Sequence, residues 1–400
     1  MRYRLFLAVL VALFLSACSL IKTISRLKSG EVAQKSFVKE IPFTEIDNII
    51  IFEARVNGSA KPYRFIFDTG APNVITPALA KELGLISGGE IKVSDSGEKK
   101  ENLGNVMLDS VSIAGITFAK TLAFISDINK QPEIACFGAD GIIGANLMRK
   151  AHWRIDYARK RITFTDELQK LSIPAGAVRV PFTPDTQGTP FITYTAGEVK
   201  GDLAIDTGKN SEYISFSKKK EPPFTGLSIV KEGRASVGAF GARNDTTYFR
   251  RAKEVKSGPW ELGDIVYMTS EKSRPLLGSG FLSRTCNSFV LDWKNNLLHL
   301  DLKNEIPAQT FQTQGAGISA AEGKWFVANI TYPEGKRSEV PVNVGEEVKA
   351  IDGKAVSAMD YCAWAAGAND YIKTMNKMRL RILRDGKEEN IELERRALIK

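Results

Sequence analysis

Apolar and polar residues alternate with a period of two over short stretches of this chain, the spacing of half-buried strands. Tyr63, Phe65 and Phe67 share one face, and Trp153, Ile155 and Tyr157 oppose Arg154 and Asp156. These runs predict strands ending near Asp68 and Tyr157. Residues 158–160 then turn the chain into 161–165, and 294–296 turn it into 297–300, so two closing hairpins are expected. Helical spacing is rarer. It predicts short helices over 77–83, with Pro77 at the start and Gly84 as a natural stop, and over 146–150. The expected class is mainly β.

The pattern also repeats. Ile41-Pro42-Phe43-Thr44 returns as Val180-Pro181-Phe182-Thr183, and Ile142-Ile143-Gly144 returns as Leu276-Leu277-Gly278. Trp153-Arg154-Ile155-Asp156-Tyr157 returns as Phe289-Val290-Leu291-Asp292-Trp293, and Asp68-Thr69-Gly70 returns 138 residues on as Asp206-Thr207-Gly208. Landmarks that keep one order and nearly one spacing imply a duplicated unit of about 135 residues, with small drifts absorbed in loops.

Each Asp-Thr-Gly follows an apolar run, Phe65 to Phe67 in one case and Leu203 to Ile205 in the other. An Asp at such a strand end sits on a tight turn, where Gly lets another backbone come close. Two carboxyl groups brought together this way cannot both ionise at moderate pH, so one keeps a proton and the pair acts as acid and base together. The ionised member takes a proton from a shared water that attacks a peptide carbonyl, and the protonated member donates to the developing oxyanion. Asp156 and Asp292 repeat as faithfully but precede hairpin turns and read as turn formers.

Two Asp-Thr-Gly triplets, each followed well downstream by two apolar residues and a Gly, resemble the retropepsin-like and pepsin-like aspartic peptidases. The resemblance covers about residues 36–305. It implies two β-barrel lobes, 36–170 and 171–308, with a cleft between them and a catalytic pair Asp68 and Asp206. It also implies active-site loops of Thr69 and Gly70, and of Thr207, Gly208 and Lys209, with the two threonines hydrogen-bonding across the lobes. A flap hairpin is implied, with candidates at Asp95-Ser96-Gly97 and at Gly238-Ala239-Phe240-Gly241. Lys209 departs from the family pattern, which has a small or hydroxyl residue there. A cation at that position is expected to favour ionised Asp206, leave Asp68 as the proton carrier and move activity toward higher pH.

From about Gln309 the pattern becomes richer in helical spacing. Residues 309–400 resemble a PDZ domain, chiefly through Val344-Gly345-Glu346-Glu347-Val348 and Ile351-Asp352-Gly353-Lys354, which implies a small α+β unit with a peptide ligand. The loop expected to take a terminal carboxylate reads Gly315-Ala316-Gly317-Ile318, unlike the usual motif.

Composition adds limits. The chain is 43% apolar and 25% charged, an ordinary globular balance, and its formal charge of +9 comes from intermixed signs with no nucleic-acid signature. Its two histidines, His152 and His299, lie far apart in the sequence, so neither a metal site nor a cofactor is expected. Arg2 and Arg4 precede an apolar run from Leu5 to Ala17 that is too short to span a bilayer. It ends in Leu15-Ser16-Ala17-Cys18, which resembles the lipobox of bacterial lipoproteins and implies lipidation of Cys18. The expected order is then a leader over 1–18, a linker over 19–35, two lobes and a PDZ-like domain. The expected place is the bacterial cell envelope, anchored by lipid on the periplasmic side or the cell surface. Cys136, Cys286 and Cys362 are odd in number and read as buried free thiols. The expected activity is an endopeptidase acting on polypeptides, as a monomer since one chain supplies both aspartates. The alternative is a lipoprotein that binds peptides in the same cleft without cutting them.

Overall fold

Among the described residues strand accounts for 54% and helix for 15%, so the fold is mainly β. The computed structural model describes residues 24–94, 100–238 and 240–399. The leader with Cys18, the tip residues Asp95, Ser96 and Gly97, and Ala239 lie outside the described residues.

In the first repeat, the strand Tyr63–Asp68 lies between Ile49–Val56, which pairs with it antiparallel, and Gly141–Gly144, which pairs with it parallel. The parallel register sets Gly144 opposite Asp68. Val74–Ile75 closes the other edge of Gly141–Gly144 and pairs onward with Ile116–Ile125. The predicted helix forms over Pro77–Glu82. Thr76 caps it by accepting from the Leu79 amide, Pro77 supplies the preset first φ, and Gly84 leaves it at φ +62°. The second predicted helix spans Ala145–Met148.

The second repeat uses the same device. Leu276–Gly278 runs parallel to Val199–Asp206 with Gly278 opposite Asp206, and Ile214–Ser217 pairs antiparallel beside it. Its long hairpin, Phe224–Gly238 and Gly241–Ser257, is followed by Trp260–Ser270.

The closing hairpins of the two repeats join. His152–Asp156 pairs antiparallel with Cys286–Asp292, and Arg161–Thr165 and Leu297–Leu302 flank them. Val38–Pro42 and Val178–Pro181, which carry the repeated Ile-Pro-Phe-Thr-like motif, form the two outer edges. Trp153 fixes its strand of the join to the first repeat's core. Its ring is fully buried, stacks on Phe164 at 4.8 Å and meets Phe67 at 5.7 Å, and its indole N–H donates to the Met148 carbonyl at 2.7 Å. Burying a large apolar side chain of this kind contributes about 1.5–3 kcal/mol. Asp156 and Asp292 accept from the amides of Arg159 and Asn295, as turn formers do.

The C-terminal segment extends the second repeat's sheet. Lys324–Pro333 pairs antiparallel with Phe224–Gly238, and Glu347–Ile351, Lys377–Arg384 and Lys387–Glu394 continue outward. Its own core is Trp325, Val327, Ile330, Val348, Leu380 and Ile382. A helix, Tyr361–Thr374, is capped by Asp360.

The cysteines correct the expectation of three free thiols. Cys136 and Cys362 form a disulfide across 226 residues, linking the first repeat to the C-terminal helix, and among the described cysteines Cys286 alone is free, and it is buried. The fold brings together two residues that no local pattern connects.

Candidate active site

Both Asp-Thr-Gly turns face each other at the seam between the repeats. The Thr69 amide donates to Thr207 Oγ1 at 3.0 Å, and the Thr207 amide donates to Thr69 Oγ1 at 3.1 Å. Each hydroxyl then donates onward, Thr69 to the Ile205 carbonyl at 2.6 Å and Thr207 to the Phe67 carbonyl at 2.7 Å. Both threonines are fully buried. A buried hydroxyl must find partners, and here each one ties the opposite loop.

This lock sets Gly70 against Asp206 and Gly208 against Asp68. A Cβ on Gly70 would lie 2.5 Å from Asp206 Cγ, and one on Gly208 would lie 2.3 Å from Asp68 Oδ2. Only glycine allows so close an approach. Behind the loops, a Cβ on Gly144 would meet the Ala71 carbonyl oxygen at 2.3 Å, and one on Gly278 the Lys209 carbonyl oxygen at 2.4 Å. The apolar-apolar-Gly motif therefore serves as the floor on which each triplet rests.

The two carboxyl groups are thereby held together, each against the glycine of the opposite triplet, and each shifts the other's proton affinity. Asp68 Oδ1 accepts from the Gly70 amide at 2.7 Å, and Asp206 Oδ1 accepts from the Gly208 amide at 3.0 Å. Burial, and then the Asp206 charge, hold the Asp68 carboxyl well above the usual carboxylate range. Burial raises Asp206 as well, but the Asp68 carboxyl, the Lys209 charge and the amides of Gly208 and Lys209 oppose it. Both shifts are upward and Asp68's is the larger, so the pair favours one shared proton, with Asp68 as the member that holds it more tightly.

Lys209 does not face the pair directly. Its ammonium donates to the Tyr213 carbonyl and, at 3.4 Å, to the Leu276 carbonyl, and forms no ion pair with Asp206. The absent side chain of Gly278 makes room for its stem, with Lys209 Cγ 3.0 Å from where a Cβ would be. Burial pushes the amine down to about 7, while Asp206 draws it up.

The carboxyl pair opens into a cavity of about 880 Å³. On the first-repeat side its wall is apolar, with Ile49, Ile66, Val74, Ile128 and Ile142. On the other side the hairpin Phe224–Gly238 and Gly241–Ser257 contributes Lys231, Arg234 and Gly238. Phe240, just past the described tip residue, packs near Leu103, Leu122 and Phe124 of the first repeat, so this hairpin crosses the cavity. The strands of the other flap candidate, Glu90–Ser94 and Lys100–Ile113, contribute Val93 and Leu103 to the lining.

Several contacts at the site carry no sequence signal. Gln187 Nε2 donates to the Gly70 carbonyl at 3.1 Å, and Asn73 Oδ1 accepts from the Gly144 amide at 2.9 Å. Glu133 pairs with Arg234 at 2.8 Å. Each joins segments distant in sequence, and single polar residues in loops have no period to betray them.

Residues 52–147 match the family model described as aspartyl protease, a stretch that contains Asp68-Thr69-Gly70 and Ile142-Ile143-Gly144. No curated protein matches the chain. Among solved structures it is similar to the crystal structure of a retropepsin-like aspartic protease from Rickettsia conorii, at 19% identity and a TM-score of 0.24, over 34% of this chain and 94% of that one. The family match supports an aspartic protease, a hydrolase.

Proposed function

We propose that this chain is an aspartic endopeptidase whose catalytic pair is Asp68 and Asp206, one from each of two lobes. The observation that carries this reading is the buried carboxyl pair, brought together by the interlocked threonines and glycines, at the base of a large cleft. A water held between the carboxyl groups loses a proton to Asp206 and attacks the scissile carbonyl. Asp68 donates its proton to the oxygen that becomes negative, and the proton taken by Asp206 passes to the leaving amine. The apolar lobe-one wall suits extended polypeptide with large aliphatic side chains, and the Gly238–Phe240 hairpin serves as the flap.

The C-terminal unit is PDZ-like in this reading and selects or regulates substrates. Lipidated Cys18 tethers the enzyme to a membrane of the bacterial envelope, where it works as a monomer on the periplasmic side or at the surface. Incubating the purified protein with an unfolded polypeptide across acid to neutral pH, with products identified by mass spectrometry, tests the activity. Internal cleavage that disappears in both Asp68→Asn and Asp206→Asn is expected. Peptide bound at every pH without any turnover would replace this reading with a cleft that only binds.

A further inference from the structure

The C-terminal segment is attached to both sides of the cleft, by two different kinds of bond. On the second repeat the attachment is a continuous sheet: Ile229 to Gly233 pair with Pro333 to Asn329. On the first repeat it is covalent and local, the Cys136–Cys362 disulfide at the first turn of the helix Tyr361–Thr374. Polar contacts gather beside that bond. Arg234 reaches Glu133 at 2.8 Å and Ser319 Oγ at 2.6 Å, Ser319 donates to Glu133 at 2.6 Å, and Tyr361 lies within hydrogen-bond distance of Ser319. Farther along the helix, Asn369 donates to Asp47 at 3.3 Å.

Held this way, the helix becomes part of the catalytic cavity. Ile318, Trp364, Ala365 and Ala368 line the same space as Asp68 and Asp206. Trp364 is only partly buried against Trp325 and Tyr371, so part of its ring remains open to the cavity.

We propose that the C-terminal segment is a strap across the cleft, latched by the Cys136–Cys362 disulfide, and that the latched segment supplies an apolar subsite, built on Trp364 of the helix and Ile318 of the strand Ala316–Ala321, for extended polypeptide. The cleft placement rests on the proposed function, but the latch and the subsite do not require hydrolysis. Cys362 is exposed and Cys136 partly so, which leaves the bond open to thiol attack. A dithiol reductant opens it by attacking one sulfur as a thiolate to give a mixed disulfide. The reductant's second thiol then displaces the protein sulfur and closes its own disulfide. Two electrons and two protons end on Cys136 and Cys362. The segment then stays with the second repeat through its sheet, while the helix loses its covalent hold on the first. The reduced cleft is wider and grips an extended chain less tightly.

The test uses the full chain with Asp68→Asn, so that a labelled oligopeptide with Phe at alternate positions binds without being consumed. Affinity and backbone hydrogen exchange are measured with the disulfide intact, after dithiothreitol, and in Cys136→Ser/Cys362→Ser. Reduction is expected to speed exchange in Tyr361–Thr374 at least tenfold, to leave Lys324–Pro333 unchanged, and to weaken peptide binding about tenfold. Trp364→Ala with the bond intact is expected to weaken binding to a similar degree. Unchanged helix exchange on reduction, or equal acceleration in Lys324–Pro333, would overturn the latch and make the bond a general staple. Unchanged affinity in Trp364→Ala would overturn the subsite. A wild type that shows both effects yet cuts nothing would leave the strap standing and remove the proposed peptidase.

Discussion

Thr69 and Thr207 each take the other's backbone amide and each give their own proton to a carbonyl of the opposite strand, at 2.6–3.1 Å throughout. This exchange couples the separation of the two carboxyl groups to the packing of the repeats. Thr69→Ala leaves the buried Thr207 amide and the Ile205 carbonyl without partners, and each such group costs about 1–3 kcal/mol. Urea unfolding should show a loss of about 2–4 kcal/mol for either alanine variant. The double variant should lose less than the sum, because the two share one network. Thr69→Ser keeps the hydroxyl and should recover most of the loss. Additive losses with no rescue by serine would mean the lock is not a unit.

The proton on Asp68 makes stability depend on pH in a definite direction. Its folded carboxyl is held well above the usual carboxylate range by burial and by Asp206. A carboxyl raised on folding favours the native state below the unfolded value, and that contribution fades as pH rises toward the folded value. Asp68→Asn replaces the group with a neutral donor to Asp206. The variant should therefore unfold at higher urea than wild type at pH 7, by ~1–3 kcal/mol, with the advantage shrinking toward pH 3. A gain that is the same at both pH values would show that charge is not its source.

Cys286 offers a check on the disulfide assignment. It is fully buried, and burial pushes its thiol up to about 12, so the folded protein should resist alkylation at neutral pH. Under denaturing, non-reducing conditions, peptide mapping should find Cys286 alkylated and Cys136 joined to Cys362. Reduction should then expose both. Labelled Cys136 without reduction would contradict the pairing.

Some of this was readable along the chain and some was not, for physical reasons. The triplets, their apolar-apolar-Gly partners and the closing hairpins are local patterns with a period or a repeat, and the strands and short helices form where that period placed them, within a residue or two. Cys136 and Cys362 differ. They sit 226 residues apart in loops and a helix, and an odd count of cysteines favoured free thiols. Glu133, Arg234 and Ser319 likewise belong to three separate segments and meet only because the C-terminal sheet grows from the second repeat's hairpin. Lys209 is an intermediate case. Its charge was visible beside Asp206, but its direction was not, because the space that receives it is the missing side chain of Gly278.

The charge of Lys209 decides the last prediction, and its sign is opposite to the one expected from the sequence. A cation near the pair favours ionised carboxylate, so it lowers the pH at which Asp206 becomes a usable base; it extends activity into acid and does not move it upward. The Lys209 side chain acts on Asp206 by its charge and not by a hydrogen bond, since the ammonium is bonded to the carbonyls of Tyr213 and Leu276. Its amine titrates at about 7, so the effect is complete only below that pH and disappears above it. In Lys209→Met, the acid limb of the kcat/KM profile for a peptide substrate should move up by roughly 0.5–1 pH unit. Any portion of the profile above pH 7 should stay in place. An acid limb that does not move would mean that the two carbonyls screen the charge fully and that Lys209 serves only to hold its loop.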